Sequence, residues 1–263
     1  MSDDASVVLT DVVDGVGVVT MHRPEVRNAL NAAMRVAVPA ALMAFDDRDD
    51  IVALVLTGSD PAFSAGIDLK ELSFGDGGGG QGGGSARRDM VQGPFPRLTK
   101  PLIGAINGVA VTGGFEYALG CDFLIASERA RFADTHGRVG VMPGWGLTVN
   151  LAEAVGVRRA RQLSFTGDYL DSDTALAWGL VNEVVAHDQL LARALDLGRS
   201  ISELVPGAAQ NLKETYRQVL DLPTGEAWAL EVERSDRWLE TGYDRERLAA
   251  SREAIQRRGS GQI

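Results

Sequence analysis

The chain has 263 residues, 45% hydrophobic and 24% charged, proportions that exclude disorder throughout and suit one large globular domain or a domain with an appendage. Its 26 Lys and Arg stand against 36 Asp and Glu, a formal net charge of −10, and with no basic run to track phosphates nucleic acid is excluded as a partner. Cys121, the sole cysteine, cannot close an intrachain disulfide and reads as a small buried hydrophobe. No stretch approaches the roughly 18 apolar residues of a membrane span, and the acidic MSDDAS start lacks the pattern of a signal peptide, so a cytoplasmic protein is expected.

Along the chain, Val7–Leu9 and Val16–Met21 are short β-branched runs around Asp14-Gly15, a strong hairpin signal. Asn31–Phe45 has the spacing of a helix. Ile51–Thr57 is a continuous apolar strand closed by Gly58, the pattern of a strand buried on both faces. Residues 75–84 contain eight glycines, and the segment Gly75–Ser85, having almost no side chains to bury, reads as a mobile surface loop. Without a Gly-Lys-Ser/Thr ending it is no phosphate cradle. Leu102–Ile106 repeats the apolar strand, a helix begins near Gly114, and Cys121–Ala126 is a further strand. Alternation of strand and helix predicts an α/β core. Beyond Gly156 the pattern turns helical over Val157–Phe165, Asp171–Trp178, Asp188–Leu204, Gly207–Leu220 and Gly225–Gln256, with one strand at Leu180–Val185.

Two segments place free backbone N–H groups where a ligand could approach. In Ala62–Leu72 (AFSAGIDLKEL), Gly66 permits a tight turn that frees the Ile67 amide. In Ile106–Asp122, Gly113 and Gly114 stand at a helix N-terminus, whose orphan donors and partial positive charge suit a developing oxyanion.

Together, AF-x-AG-x-D-x-KE and NG-x-A-x-x-GG-x-E resemble the enoyl-CoA hydratase/isomerase (crotonase) superfamily. The likeness extends from about Val7 to Arg258, through Arg23-Pro24, Asn28-Ala29-Leu30-Asn31, Arg131–Pro143 and TGDYLDSDTALAWGLVNEVV. It implies an α/β, crotonase-like spiral of ββα units over residues 1–200 and a C-terminal helical region over 201–263 that makes trimers or pairs of trimers. It further implies an acyl-CoA thioester as ligand and no cofactor beyond that coenzyme A. The thioester carbonyl would be held by the amides of Ile67 and Gly113, each such donor contributing about 3–4 kcal/mol to an enolate-like transition state. Ala65, Gly66, Asp68, Leu69 and Lys70 would lie along the adenine and pantetheine, with Arg23, Arg27 and Lys70 giving local positive charge near the nucleotide.

Hydratases of this family use two glutamates. Glu116 matches the first, linked with water, but the second position, in Phe132-Ala133-Asp134-Thr135-His136, is His136. A histidine of ordinary pKa about 6.5 exchanges protons near neutrality, so syn hydration of a 2-trans-enoyl-CoA remains open with Glu116 handling water and His136 as acid. Asp134 reads as a turn residue, or as a group that orients the imidazole. Also open are another acyl-CoA reaction on the same oxyanion hole (isomerisation, thioester hydrolysis or decarboxylation) and an acyl-CoA-binding subunit without turnover. The missing second glutamate counts against isomerisation. His22 and His187 lack neighbours at metal-ligand spacing. Met142 and Trp145, in GVMPGWG, are candidates to line the acyl pocket or simply to pack.

Overall fold

Asp14 and Gly15 both take positive φ, 51° and 78°, as a two-residue hairpin turn requires, and join β1 (Val8–Val13) to β2 (Val16–Met21) in antiparallel register from Val13↔Val16 to Val8↔Met21. The computed structural model describes residues 6–68, 70–71 and 93–241. These form two compact units, one ending at Val205 and one beginning at Pro206. The glycine-rich segment 75–85 and the C-terminal continuation of the last expected helix lie outside the described residues.

Asn31 caps α1 (Ala32–Asp46) by accepting a hydrogen bond from the Met34 amide at 2.8 Å. The expected apolar strands follow as β3 (Ala53–Gly58), β5 (Leu102–Ile106), β7 (Phe123–Ser127) and β10 (Glu183–Val185), and with the hairpin they make a six-stranded sheet ordered β1-β2-β3-β5-β7-β10. Every neighbour pair beyond the hairpin is parallel. On one face Val19, Met21, Leu54 and Leu56 join Met34, Val38, Leu42 and Phe45 of α1. On the other, Val16, Val18, Val55, Ile103 and Ile125 join Leu190 and Ala194 of a helix spanning Leu190–Ser202. Each fully buried side chain of this size contributes about 1.5–3 kcal/mol, so the continuous apolar runs are explained by a sheet covered on both sides.

A second sheet, not anticipated from the sequence, contains β4 (Ala62–Ser64), β6 (Val109–Val111), β8 (Arg131–Ala133) and β9 (Leu170–Asp171), in that order. These strands have two or three residues each, too few for a periodic pattern to register. The pairs β3/β4, β5/β6 and β7/β8 each contribute one strand to either sheet before the chain moves to the next parallel neighbour, which produces a spiral of ββ turns. Asn28 anchors the first turn. Fully buried with φ 54°, it donates to the carbonyls of Ser59 and Ala62 at 2.8 and 2.6 Å and accepts from the Arg23 amide at 2.9 Å.

Among the described residues the first unit also contains the α-helices α2 (Gly113–Leu119), α3 (His136–Val139), α4 (Leu147–Val155), α5 (Val157–Thr166), α6 (Ser172–Trp178) and α7 (Leu190–Ser202). Of these α3 and α4 were not anticipated, since α3 has only four residues and α4 sits directly behind GVMPGWG. Asp171, read as the start of a helix, is instead the cap of α6 and accepts from the Thr174 amide at 2.7 Å. The second unit contains α8 (Ala208–Val219) and α9 (Thr224–Thr241).

Candidate active site

Three parallel strands of the small sheet end side by side. Ser64 of β4 is registered with Ala110 of β6, and Val111 with Ala133 of β8, so the residues that follow, 65–67, 112–113 and 134–136, emerge along one sheet edge. The carboxyl ends of parallel strands are where α/β folds assemble ligand sites.

Gly66 must be glycine. Its φ is 91°, and a Cβ there would lie 2.6 Å from the Val111 carbonyl oxygen and 3.4 Å from the Gly113 nitrogen. Leu30 donates to the Gly66 carbonyl at 2.7 Å and accepts from the Asp68 amide at 3.2 Å, a parallel bridge that leaves the Ile67 N–H directed away from Leu30. Gly114 is equally constrained, since a Cβ would meet the Ser64 carbonyl at 2.4 Å. A Cβ on Gly113 would stand 3.1 Å from Ile67 Cγ1 and 3.3 Å from the Trp145 ring. Ile67 and Gly113 are thus brought together, and among the described residues neither amide N–H has a hydrogen-bond partner. Thr112, just before Gly113, has φ 53° and ψ −115°, a strained backbone for a β-branched residue. Its amide donates to the Ala133 carbonyl at 3.0 Å and its hydroxyl lies 2.5 Å from that of Thr135.

Glu116, in the first turn of α2, is buried, and its Oε1 accepts from the amides of Gly144 and Trp145 at 3.0 and 2.7 Å. Its Oε2 faces His136 Nε2 at 3.4 Å, and His136 Nδ1 lies 2.7 Å from Asp134 Oδ1. The three side chains are each 3% exposed or less. Burial acts to lower the His136 pKa, but the hydrogen bonds and charges of Asp134 and Glu116 outweigh it and lift it from 6.5 to about 9. Burial likewise acts to raise Asp134, and the hydrogen bonds of His136 and Ser164 more than offset this, holding it below the usual carboxylate range. At neutral pH the imidazole is therefore a cation between two carboxylates.

The family model described as enoyl-CoA hydratase/isomerase matches residues 11–245. The chain belongs to the enoyl-CoA hydratase/isomerase family. A protein of Arabidopsis thaliana named probable enoyl-CoA hydratase 1, peroxisomal, is 35% identical over 253 residues, covering 94% of this chain and 91% of its own. A probable enoyl-CoA hydratase of Rhizobium meliloti is 39% identical, with 85% and 86% covered. Among solved structures, an enoyl-CoA hydratase from Mycobacterium tuberculosis H37Rv is 46% identical, with TM-score 0.74 and 88% of this chain and 98% of that one covered. One from Bacillus anthracis is 28% identical, with TM-score 0.85 and coverage of 95% and 96%.

Within this family fold the other expected site residues fall as follows. Ala65, half-buried, donates its amide to the Arg27 carbonyl at 2.9 Å. Arg23 is already engaged, donating to the Ala29 carbonyl at 2.6 Å and pairing with Asp68 at 3.0 Å; both side chains are more than four-fifths buried. Arg27 and Lys70 are exposed, and Leu69 lies outside the described residues. Trp145 reaches the site edge while Met142 is 75% exposed. His22 is bonded to Ser59, and His187 bridges Ser127 and Asp60. Thr112, Thr135 and Ser164 carry no signal in the sequence that marks them for the site, and Asp134 reads there first as a turn residue. For the last, the Asp-x-His spacing was the available signal.

Proposed function

We propose that the chain is an enoyl-CoA hydratase, adding water reversibly and syn across the double bond of a 2-trans-enoyl-CoA. The observation that carries the reading is the 3.4 Å contact between Glu116 Oε2 and His136 Nε2, on the same sheet edge as the two unpartnered amides. Glu116 accepts a proton from the water whose oxygen attacks C3. The electron pair moves through C2 and C1 onto the thioester oxygen, which the N–H groups of Ile67 and Gly113 receive. His136 then donates the Nε2 proton to C2. The proton taken by Glu116 returns to His136 Nε2 across the same contact, so one water is consumed and the pair is restored. Glu116 is aimed for this task because its other oxygen is held by two amides.

Along the rest of the ligand, the backbone of Ala65–Lys70 follows the pantetheine and adenine, with the exposed Arg27 and Lys70 toward the phosphates. Arg23 acts one step back, fixing Asp68. The chemistry calls for no cofactor beyond the coenzyme A that the substrate brings. A homotrimer or pair of trimers accompanies the reading, supported by apolar side chains exposed on the second unit at helical spacing, Leu212 and Tyr216 on α8 and Trp228 and Val232 on α9; light scattering tests it. A cytoplasmic location is part of the same proposal, and no helix among the described residues is long and apolar enough to cross a membrane.

The test is hydration of crotonyl-CoA by the wild type, Glu116→Gln and His136→Ala. A positioned acid or base is worth about 10²–10⁴-fold, so each variant is expected to lose that much kcat. Unimpaired turnover in Glu116→Gln would sink the mechanism, and release of free coenzyme A without hydration would replace it with thioester hydrolysis.

A further inference from the structure

We propose that Asp134 is a positioning residue for the reaction: it holds the His136 imidazole by Nδ1, so that the ring stays charged and presents its Nε2–H, and no other atom, to Glu116 and the substrate. The inference rests on the hydratase reading for its catalytic meaning and on geometry for its substance.

A turn residue in this place would need only a bond to the backbone two residues on. Asp134 makes that bond, from the His136 amide to Oδ1 at 3.2 Å, and adds a second to the ring on the same oxygen at 2.7 Å. The backbone and side chain of His136 are therefore fixed by one group. The Asp134 side chain is 3% exposed, and a buried carboxylate is costly unless paired and hydrogen-bonded. Here the ring N–H, the amide and the Ser164 hydroxyl of α5 meet that need.

An imidazole held on one side only could turn over and exchange Nδ1 for Nε2 toward the substrate. The bond at Nδ1 removes that freedom and leaves Nε2 aimed at Glu116, in the way carboxylates orient histidines at other sites. The groups acting on the ring are Glu116 from α2 and Asp134 from its own loop, while α5 contributes the neutral hydroxyl of Ser164 to Asp134. Two carboxylates face one cation. A two-glutamate site can donate to C2 only from a carboxyl that carries a proton, whereas this site has its donor charged before substrate arrives.

The experiment titrates the histidine ring signals by NMR in wild type and Asp134→Asn, assigning His136 by its absence in His136→Gln, and records kcat and KM for crotonyl-CoA against pH. In the wild type His136 is expected to titrate at about 9. Asp134→Asn should bring it down by about one to two pH units and move the alkaline limb of kcat by the same amount. At pH 8.5 the loss of the protonated ring should lower kcat about 3–25-fold with KM changed less than about twofold, and Asp134→Glu should recover most of the loss. A His136 that titrates near 6.5 in the wild type overturns the proposal even if no variant folds. So does an Asp134→Asn profile that superimposes on the wild type. Absence of hydration by the wild type refutes the hydratase reading alone, because the ring titration needs no substrate and still decides on Asp134.

Discussion

Replacing His136 by glutamine removes the cation between Asp134 and Glu116 and keeps a side chain of similar polarity. The rise of the His136 pKa from 6.5 to about 9, at about 1.4 kcal/mol per pH unit, is equivalent to about 3 kcal/mol of native-state stability. Because the folded value lies above the unfolded one, this contribution is complete below about pH 6.5 and is lost as pH rises through 9. The side chain is 3% exposed, so solvent screens little of it. Urea denaturation of wild type and His136→Gln at intervals from pH 6.5 to 10 measures the effect. The variant lacks the titrating ring while the rest of the molecule titrates in both, so the difference between the two curves isolates it. That difference should shrink by about 3 kcal/mol across the window, on the order of 6–12 °C in Tm for a chain of this size. A difference that stays constant with pH would refute the charged-imidazole reasoning.

Other outcomes follow from single contacts. Thr112→Val keeps the shape but loses the hydroxyl bond to Thr135, and is expected to cost about 1 kcal/mol of stability and, by loosening the Gly113 amide, to lower kcat about tenfold with KM little changed; steady-state kinetics on crotonyl-CoA check it, and unchanged kcat would show that the bond does not position the amide. Gly114→Ala places a methyl 2.4 Å from the Ser64 carbonyl, where backbone cannot yield, and should destabilise by at least about 1–3 kcal/mol; an unaltered melting temperature would contradict the packing described. Asn28→Ala removes three hydrogen bonds, one buried and two half-buried, at a positive-φ position, with an expected loss of about 2–4 kcal/mol by denaturant titration.

The large sheet and its covering helices were legible because their signals are local: the Asp14-Gly15 turn, the runs of β3 and β5, and the helical spacing of Asn31–Phe45 each act over neighbours in sequence. The small sheet was not, since strands of two or three residues are stabilised by partners 22 to 47 residues away and leave almost no local pattern. The site was half legible for the same reason. Gly66 and Gly113 could be picked out from local signals, a turn that calls for glycine and a glycine pair at a helix start, and the resemblance placed Glu116 and His136. That the imidazole is clamped by Asp134, and that the Gly144 and Trp145 amides aim Glu116, depends on loops that meet only after folding.

The three adjacent strand ends divide the labour of the site among separate turns of the spiral. One end brings the Ile67 amide, the next the Gly113 amide and Glu116, and the third Asp134 and His136. A change of proton donor at the third end leaves the amides at the other two untouched, because the register of β4, β6 and β8 is set by backbone pairing and not by the groups they deliver. The fold thereby separates the holding of a thioester from the choice of what protonates it, and a histidine can stand where a glutamate is expected without the oxyanion hole being rebuilt.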